Sequence, residues 1–355
     1  MKAVVERLVQ EHSLTKQDLI SLLSCCDSAT FSYLRQEATR IARQRFGFGI
    51  FLRGLIEVSS YCRNDCFYCG LRRSNRSAER YRLSDEQILR CCEDGYRAGL
   101  RTFVLQGGED AAFTDARLER LIGTIKHLYA DAAITLSLGE RSIESLARLR
   151  RAGADRYLLR HEAADATLYA ALHPSDMSYS NRLQTIEQLM ALGFQTGVGM
   201  MVGVPHQSVE SLAEDLLYIS RVQPQMIGIG PFLPATNTPF ENHSPGSAET
   251  PFAQSQAGDV RLTLMVMAIA RLLAPKALIP ATTALATLSN EGVRQGVLSG
   301  ANVVMPNISP LEVREKYDIY EGKSQAYNQN IESVKRLGAE LESIGYHIDL
   351  SRGDF

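Results

Sequence analysis

Three thiols, at Cys62, Cys66 and Cys69, stand in the run YCRNDCFYCG, with three residues between the first pair and two between the second. Thiolates this close can hold three irons of a cubane 4Fe-4S cluster. With no fourth cysteine nearby in sequence, one iron is left open. An open iron suits S-adenosylmethionine (SAM), whose amine and carboxylate can chelate it and set the sulfonium beside the cluster for electron transfer and release of a 5'-deoxyadenosyl radical. Two plainer readings compete: a structural zinc site, which wants four ligands in paired C-x2-C units, and three buried apolar cysteines. An iron-sulfur electron carrier or binding module is a third, although a carrier normally fills all four iron positions with protein ligands.

The elements that must position these thiols are legible in the hydrophobic pattern. Residues 1–48 read as an N-terminal helical extension, with Val4, Leu8 and Val9, then Leu19, Leu22 and Leu23, at helical spacing and Ser13 and Thr15 as candidate caps. Eight apolar runs follow, starting at Phe51, Thr102, Ile134, Arg156, Thr196, Met226, Ala277 and Ala301. Between them lie amphipathic segments such as SDEQILRCCEDGYRAG and SIESLARLRRAG, opened by a capping serine and closed by glycine. Strand-helix alternation specifies a parallel sheet, and eight units favour a (βα)8 TIM-type barrel over an open sheet. The barrel is assigned to 49–310, and 311–355 to a closing segment and helix; 241–259, rich in Ser, Pro and Gly, reads as a loop inserted after strand six. In such barrels chemistry gathers where the strands end, and the polar and glycine-rich oddities of this chain fall there.

Composition narrows the function. The chain has 355 residues and a formal charge of -2, which argues against a nucleic-acid partner. No apolar run reaches the roughly 18 residues of a membrane span, and Glu6 and Glu11 interrupt what would be the apolar part of a signal peptide, so a cytoplasmic protein is expected. Seven cysteines, none after Cys92, suit a reducing compartment and a metal rather than disulfides. Cys25-Cys26 and Cys91-Cys92 fall in helical patterns, with one of each pair expected to face the core.

The cysteine spacing, Tyr68 before the last cysteine and the position after strand one resemble the radical SAM superfamily. Along nearly the whole chain the sequence further resembles the HydE-type maturases of FeFe-hydrogenases, through IEVSSYCRNDCFYCGLRRSN, RYRLS, VLQGGED, TLSLGE, ADRYLLRHEAAD, NRL, MMVGVP, IGIGPFLP, PATTA and GANVVMPN. The resemblance implies a SAM-cleaving enzyme of hydrogenase cluster assembly, acting on an anionic small-molecule or organometallic substrate, a cysteine-bound iron carbonyl cyanide complex, in transient contact with other maturases. Methylornithine synthase shares the barrel and the motif and is the alternative enzyme. Some relatives carry a second cluster on three C-terminal cysteines; this chain has none after Cys92, so no second cluster is expected.

The resemblance also assigns residues. Gly107, Gly108 and Glu109 would bring backbone carbonyls to the SAM amino group, the glycines permitting close approach. Ser137 matches a SAM contact, Glu162 would accept from the ribose diol, and Arg182 would grip the methionine carboxylate as a charge-assisted fork. Thr135, Arg160, Thr282 and Thr283 match positions lining an anion-friendly cavity opposite SAM, with Met226 and Met305 as polarizable walls. Tyr317 and Tyr320, in EKYDIYEGK, match a segment that closes over that cavity, although tyrosines three apart are also an ordinary helix surface. His161, beside two of these, is a supporting residue in this reading.

Overall fold

The computed structural model describes residues 1–242, 260–323 and 331–355. The expected loop at 241–259 lies outside the described residues from 243 on, as does Gln325, the expected start of the C-terminal helical stretch. Three helices come first, α1 (Lys2–Glu11), α2 (Lys16–Cys25) and α3 (Ser28–Phe46). Thr15 and Asp18 cap the start of α2 reciprocally, and the Asp27 carboxylate accepts the Thr30 N–H at 2.7 Å to start α3. Strands and helices then alternate: β1 (Gly49–Leu52), β2 (Gly54–Ser59), α4 (Asp85–Arg97), β3 (Thr102–Gly107), α5 (Asp115–Leu128), β4 (Ala133–Ser137), α6 (Ile143–Ala152) and β5 (Arg156–Leu158). They continue with α7 (Ala166–Leu172), α8 (Tyr179–Ala191), β6 (Gln195–Val202), α9 (Val209–Val222), β7 (Met226–Pro231), α10 (Val260–Leu273), α11 (Thr283–Leu288) and α12 (Gly292–Val297). Last come β8 (Val303–Val304), α13 (Leu311–Arg314), α14 (Ile331–Glu342) and β9 (His347–Asp349).

The strands close into a ring. From β2 to β7 each pairs in parallel with the next. The circuit is completed by parallel bridges Met226–Leu278, Pro280–Val303 and Leu55–Asn307, and by β8 on β1. The run expected at Ala277 is thus reduced to bridges. The run from Phe51 is divided at Arg53, because β1 pairs with β8 and β9 while β2 pairs with β3. The sequence pattern missed β9, a short strand that adds to the lower end of β1. Among the described residues no helix is long and apolar enough to cross a membrane.

Strand alternation sorts the barrel wall into two faces. Ile56, Val58, Phe103, Leu105, Ile134, Leu136, Tyr157, Leu159, Val198, Met200, Ile227 and Ile229 belong to the main core against the helices. Their alternates face the lumen, and beside Leu55, Val104 and Leu158 many of these are not the bulky branched residues that usually fill a barrel. They include Glu57, Gln106, Thr135, Ser137, Arg160, Gly197, Gly199, Gly228 and Gly230. A side chain at Gly228 would meet nothing closer than Arg160 Cδ and the Val198 carbonyl, both at 3.9 Å. The chain therefore builds a polar-lined chamber above a plugged base. At that base the fully buried Arg156 donates through Nη2 to the Arg352 carbonyl (2.8 Å), the Gly353 carbonyl (3.1 Å) and Asp354 Oδ1 (2.7 Å).

One cysteine expectation needs correcting. Cys91 and Cys92 are both buried: Cys92 sits in the main core, while Cys91 faces a groove walled by the segment after β8, whose Ile308 reaches Gly95 of α4. Cys25 is exposed, and Cys26 packs partly against the core.

Candidate functional site

The three site cysteines lie on the loop that leaves β2 at the mouth of the barrel. Few of its residues are in regular structure, so other groups must hold it. Asp65 accepts both Arg72 Nε (2.8 Å) and Nη2 (2.7 Å), together with the Ser74 N–H (3.0 Å). Arg72 and Ser74 hold its carboxyl well below the ordinary range. Arg80 fans out to the carbonyls of Ser60, Leu71, Arg72 and Asn75. Backbone ties fix the loop to its surroundings: Arg63 N–H to the Glu109 carbonyl (3.0 Å), Phe67 N–H to Leu172 (3.0 Å) and Gly70 N–H to Ile319 (3.1 Å). A Cβ at Gly70 would collide with the Asp318 carbonyl.

The donor set fits a cationic cluster. Burial pushes the Cys69 thiol up to about 12, with the Cys62 charge adding to it, and burial followed by the Cys69 and Cys62 charges raises Cys66. Three thiolates on one half-buried loop therefore call for metal charge to stabilise them. Among the described residues, no three His, Cys, Asp or Glu side chains converge on a single-ion position. Cys66 Sγ lies 3.7 Å from Met177 Sδ, a neighbour that sequence reasoning missed.

The end of β3 presses against this loop. A Cβ at Gly108 would fall 2.6 Å from Cys62 Cβ and 3.0 Å from its Cα, so only glycine allows the approach. The Glu109 side chain is occupied by Arg63 Nε (2.7 Å) and the Glu140 N–H (2.7 Å), which leaves the backbone of Gly107 and Gly108 as the part facing the site. Asp110 accepts from Ser59 Oγ (2.6 Å) and Arg82 Nε (2.6 Å), fixing the turn from below.

Across the mouth, Glu162 is buried in the left-handed region at φ 64. A dyad below it enforces that backbone. His161 Nδ1 accepts the Gly199 N–H (3.3 Å), so Nε2 carries the proton toward Asp215 Oδ1 (3.2 Å), which also accepts the Ala164 N–H (2.6 Å). Glu162 Oε1 accepts from Arg160 Nε (3.1 Å); Oε2 lies 2.9 Å from Arg160 Nη2 as an ion pair but off the hydrogen-bond axis, so its lone pairs remain open. Burial raises the Glu162 carboxyl, but Arg160 and Arg182 outweigh it and hold the group below its ordinary value. Arg182 is buried and paired with Glu140 Oε1 (2.5 Å) and with the Arg160 carbonyl (2.8 Å). Its partner Glu140, in TLSLGE, escapes a reading of the sequence because nothing local connects the two.

The chamber below carries further open groups. The Thr135 and Thr282 hydroxyls are buried with no hydrogen-bond partner, and Glu162 Oε2 has none beyond its ion pair with Arg160. Thr282 sits at the start of α11 without capping it, close to Gly230, and Thr283 opens the helix. Ser137 ends β4 beside Gln106 of β3. Tyr317 is buried with its hydroxyl meeting Gln106, and Tyr320 meets Thr287. Both lie after α13 on the segment that returns over the cysteine loop, rather than on a helix surface. Met226 lies deeper, opening β7 among Phe51, Leu278 and Val303, with Met305 partly buried against that group. A buried ion pair not anticipated from sequence, Glu57 Oε1 with Lys323 Nζ at 2.5 Å, ties this returning segment to β2.

Residues 56–219 match the radical SAM superfamily. The chain is 37% identical to the [FeFe] hydrogenase maturase subunit HydE of Thermotoga maritima, over 97% of this chain and 94% of that protein. It is 29% identical to the 3-methylornithine synthase of Methanosarcina acetivorans, over 96% and 92% of the two chains. Among solved structures, that of methylornithine synthase (PylB) superposes with a TM-score of 0.81 at 26% identity, covering 98% of this chain and 97% of that one.

Proposed function

This chain belongs to the radical SAM superfamily, and within it to the HydE type, and from that premise we propose that it is a SAM-cleaving maturase that helps assemble the active-site cluster of FeFe-hydrogenase. In this reading Cys62, Cys66 and Cys69 hold a 4Fe-4S cluster with one open iron, and no second cluster is present. When bound, that group supplies one electron to the SAM sulfonium, breaking the bond to C5' and releasing methionine and a 5'-deoxyadenosyl radical.

The chain's own residues bind and orient. Gly107 and Gly108 offer backbone carbonyls to the methionine ammonium, with Ser137 and Glu109 flanking. Arg182 carries the charge for the methionine carboxylate, and Glu162 Oε2 is an open acceptor for a ribose hydroxyl. Below, Arg160, Thr135, Thr282 and Thr283 present a cation and hydroxyl donors to an anionic substrate, with Met226 and Met305 forming an apolar floor. Tyr317 and Tyr320 exclude water from above. The observation that carries the reading is the set of buried oxygens without a hydrogen bond, at Thr135, Glu162 and Thr282, in the same mouth as the thiols. Buried polar groups are normally hydrogen-bonded, and the polar atoms of a bound ligand would complete these three.

The natural substrate proposed is an anionic iron complex of cysteine, received from and passed to other maturases. Restoring hydrogenase activity in a host lacking its own maturase tests this. The chain is expected to restore it, and Arg160→Ala is expected to lose it with the cluster retained. A second reading, methylornithine synthesis, is favoured by the 0.81 superposition on PylB. Failure to restore hydrogenase by a folded, SAM-cleaving protein selects that alternative.

A further inference from the structure

Tyr68 stands between two of the cluster-loop cysteines, and its hydroxyl lies 3.2 Å from His173 Nε2. The other ring nitrogen decides which group donates. Nδ1 lies 2.8 Å from the Tyr169 carbonyl, which can only accept, so Nδ1 carries the proton and Nε2 is left with a lone pair. Tyr68 O–H must therefore donate to it. Burial holds His173 down at about 4, so the ring stays neutral and this arrangement persists at neutral pH.

The ring is also wedged in place. It stacks on Tyr169 at 4.1 Å between centroids and meets Tyr68 edge-on at 5.5 Å. The Arg182 guanidinium lies 6.0 Å from the Tyr169 centroid. One residue before His173, the Leu172 carbonyl receives the Phe67 N–H, so the end of α7 grips two successive residues of the cysteine loop.

We infer that His173 is a positioning residue for SAM: by accepting from Tyr68 it holds the cysteine loop in fixed relation to Arg182 and Glu162. The inference rests on the SAM-binding reading above. Plain aromatic packing competes with it, and the two differ in what they tolerate. Packing accepts phenylalanine at 173 and resists glutamine. A positioning hydrogen bond does the reverse, because a glutamine amide can accept from Tyr68 and donate to Tyr169.

The experiment is a SAM titration of the reconstituted, reduced protein, followed by the SAM-induced change in its EPR spectrum, with iron content and thermal unfolding measured alongside. Tyr68→Phe and His173→Phe are each expected to raise the half-saturating SAM concentration about fivefold, as for one lost hydrogen bond. His173→Gln should stay within about twofold of the wild type, and the Tyr68→Phe/His173→Phe double variant should be no worse than either single. Wild-type SAM affinity in His173→Phe at full iron content, or multiplied effects in the double variant, overturns the inference. Should His173→Phe fail to fold, Tyr68→Phe with unaltered affinity overturns it equally. A wild-type protein that holds its cluster yet ignores SAM overturns the SAM reading, and this inference with it.

Discussion

Gly108 and Cys62 touch with no side chain between them: a Cβ added to the glycine would fall 2.6 Å from that of the cysteine. Gly108→Ala must therefore push the end of β3 away from the cysteine loop. The expected result is loss of most bound iron after reconstitution, measured per chain, with the fold retained. Gly123→Ala is the control. Gly123 lies within α5 with open space around its Cβ position, and there alanine should stabilise by about 0.5–1 kcal/mol in thermal unfolding.

Glu162→Gln keeps the shape of the side chain and removes the charge held between Arg160 and Arg182. Charge-assisted hydrogen bonds are roughly twice as strong as neutral ones. The half-saturating SAM concentration should rise about tenfold, corresponding to about 1.4 kcal/mol. Calorimetric titration of the reconstituted protein checks this.

The Glu57–Lys323 pair is buried, and removing one partner leaves the other charge stranded. Lys323→Met should destabilise by about 3–5 kcal/mol in urea denaturation. The Glu57→Gln/Lys323→Met double variant should recover part of that loss, because the stranded carboxylate is gone. An additive double variant contradicts the pair's account.

His173 also sets a pH dependence. Its folded-state value is held down at about 4 by burial, against 6.5 when exposed. Between those values the unfolded chain binds a proton that the folded one rejects. Stability is therefore complete above pH 6.5 and falls as the pH drops toward 4. Replacing the wild type by His173→Gln should shrink the stability difference between pH 7.5 and 5 by roughly 2 kcal/mol, measured by chemical denaturation at both pH values.

What the sequence reveals and what it hides follow from distance along the chain. The cysteine trio is local, so its spacing alone suggests the cluster. The alternation of apolar runs and capped helices is local too, and it leads to a parallel ring. The ring then brings together residues that no window spans. Glu57 finds Lys323, Tyr68 finds His173, Arg182 finds Glu140, and Arg156 Nη2 takes its acceptors from residues 352–354. Strand β9 is three residues long and makes sense only once β1 offers a free edge. Cys91 and Cys92 differ from expectation for a similar reason: helical spacing turns Cys92 to the core and Cys91 away from it, but the segment after β8 covers Cys91. Thr135, Glu162 and Thr282 are ordinary residue types that resemblance, not chemistry, singles out in the sequence. In the structure their buried oxygens, lacking a hydrogen bond, add a second reason to look at them.

The central claim is that three thiols on this loop hold a cluster with one iron open to SAM. The most direct test is to reconstitute the protein anaerobically with iron and sulfide, reduce it, add SAM and measure 5'-deoxyadenosine. The account predicts about four irons per chain, release of 5'-deoxyadenosine, and loss of both in Cys66→Ala. A fully loaded, reduced protein that leaves SAM intact, or a Cys66→Ala variant that still cleaves it, would contradict the account.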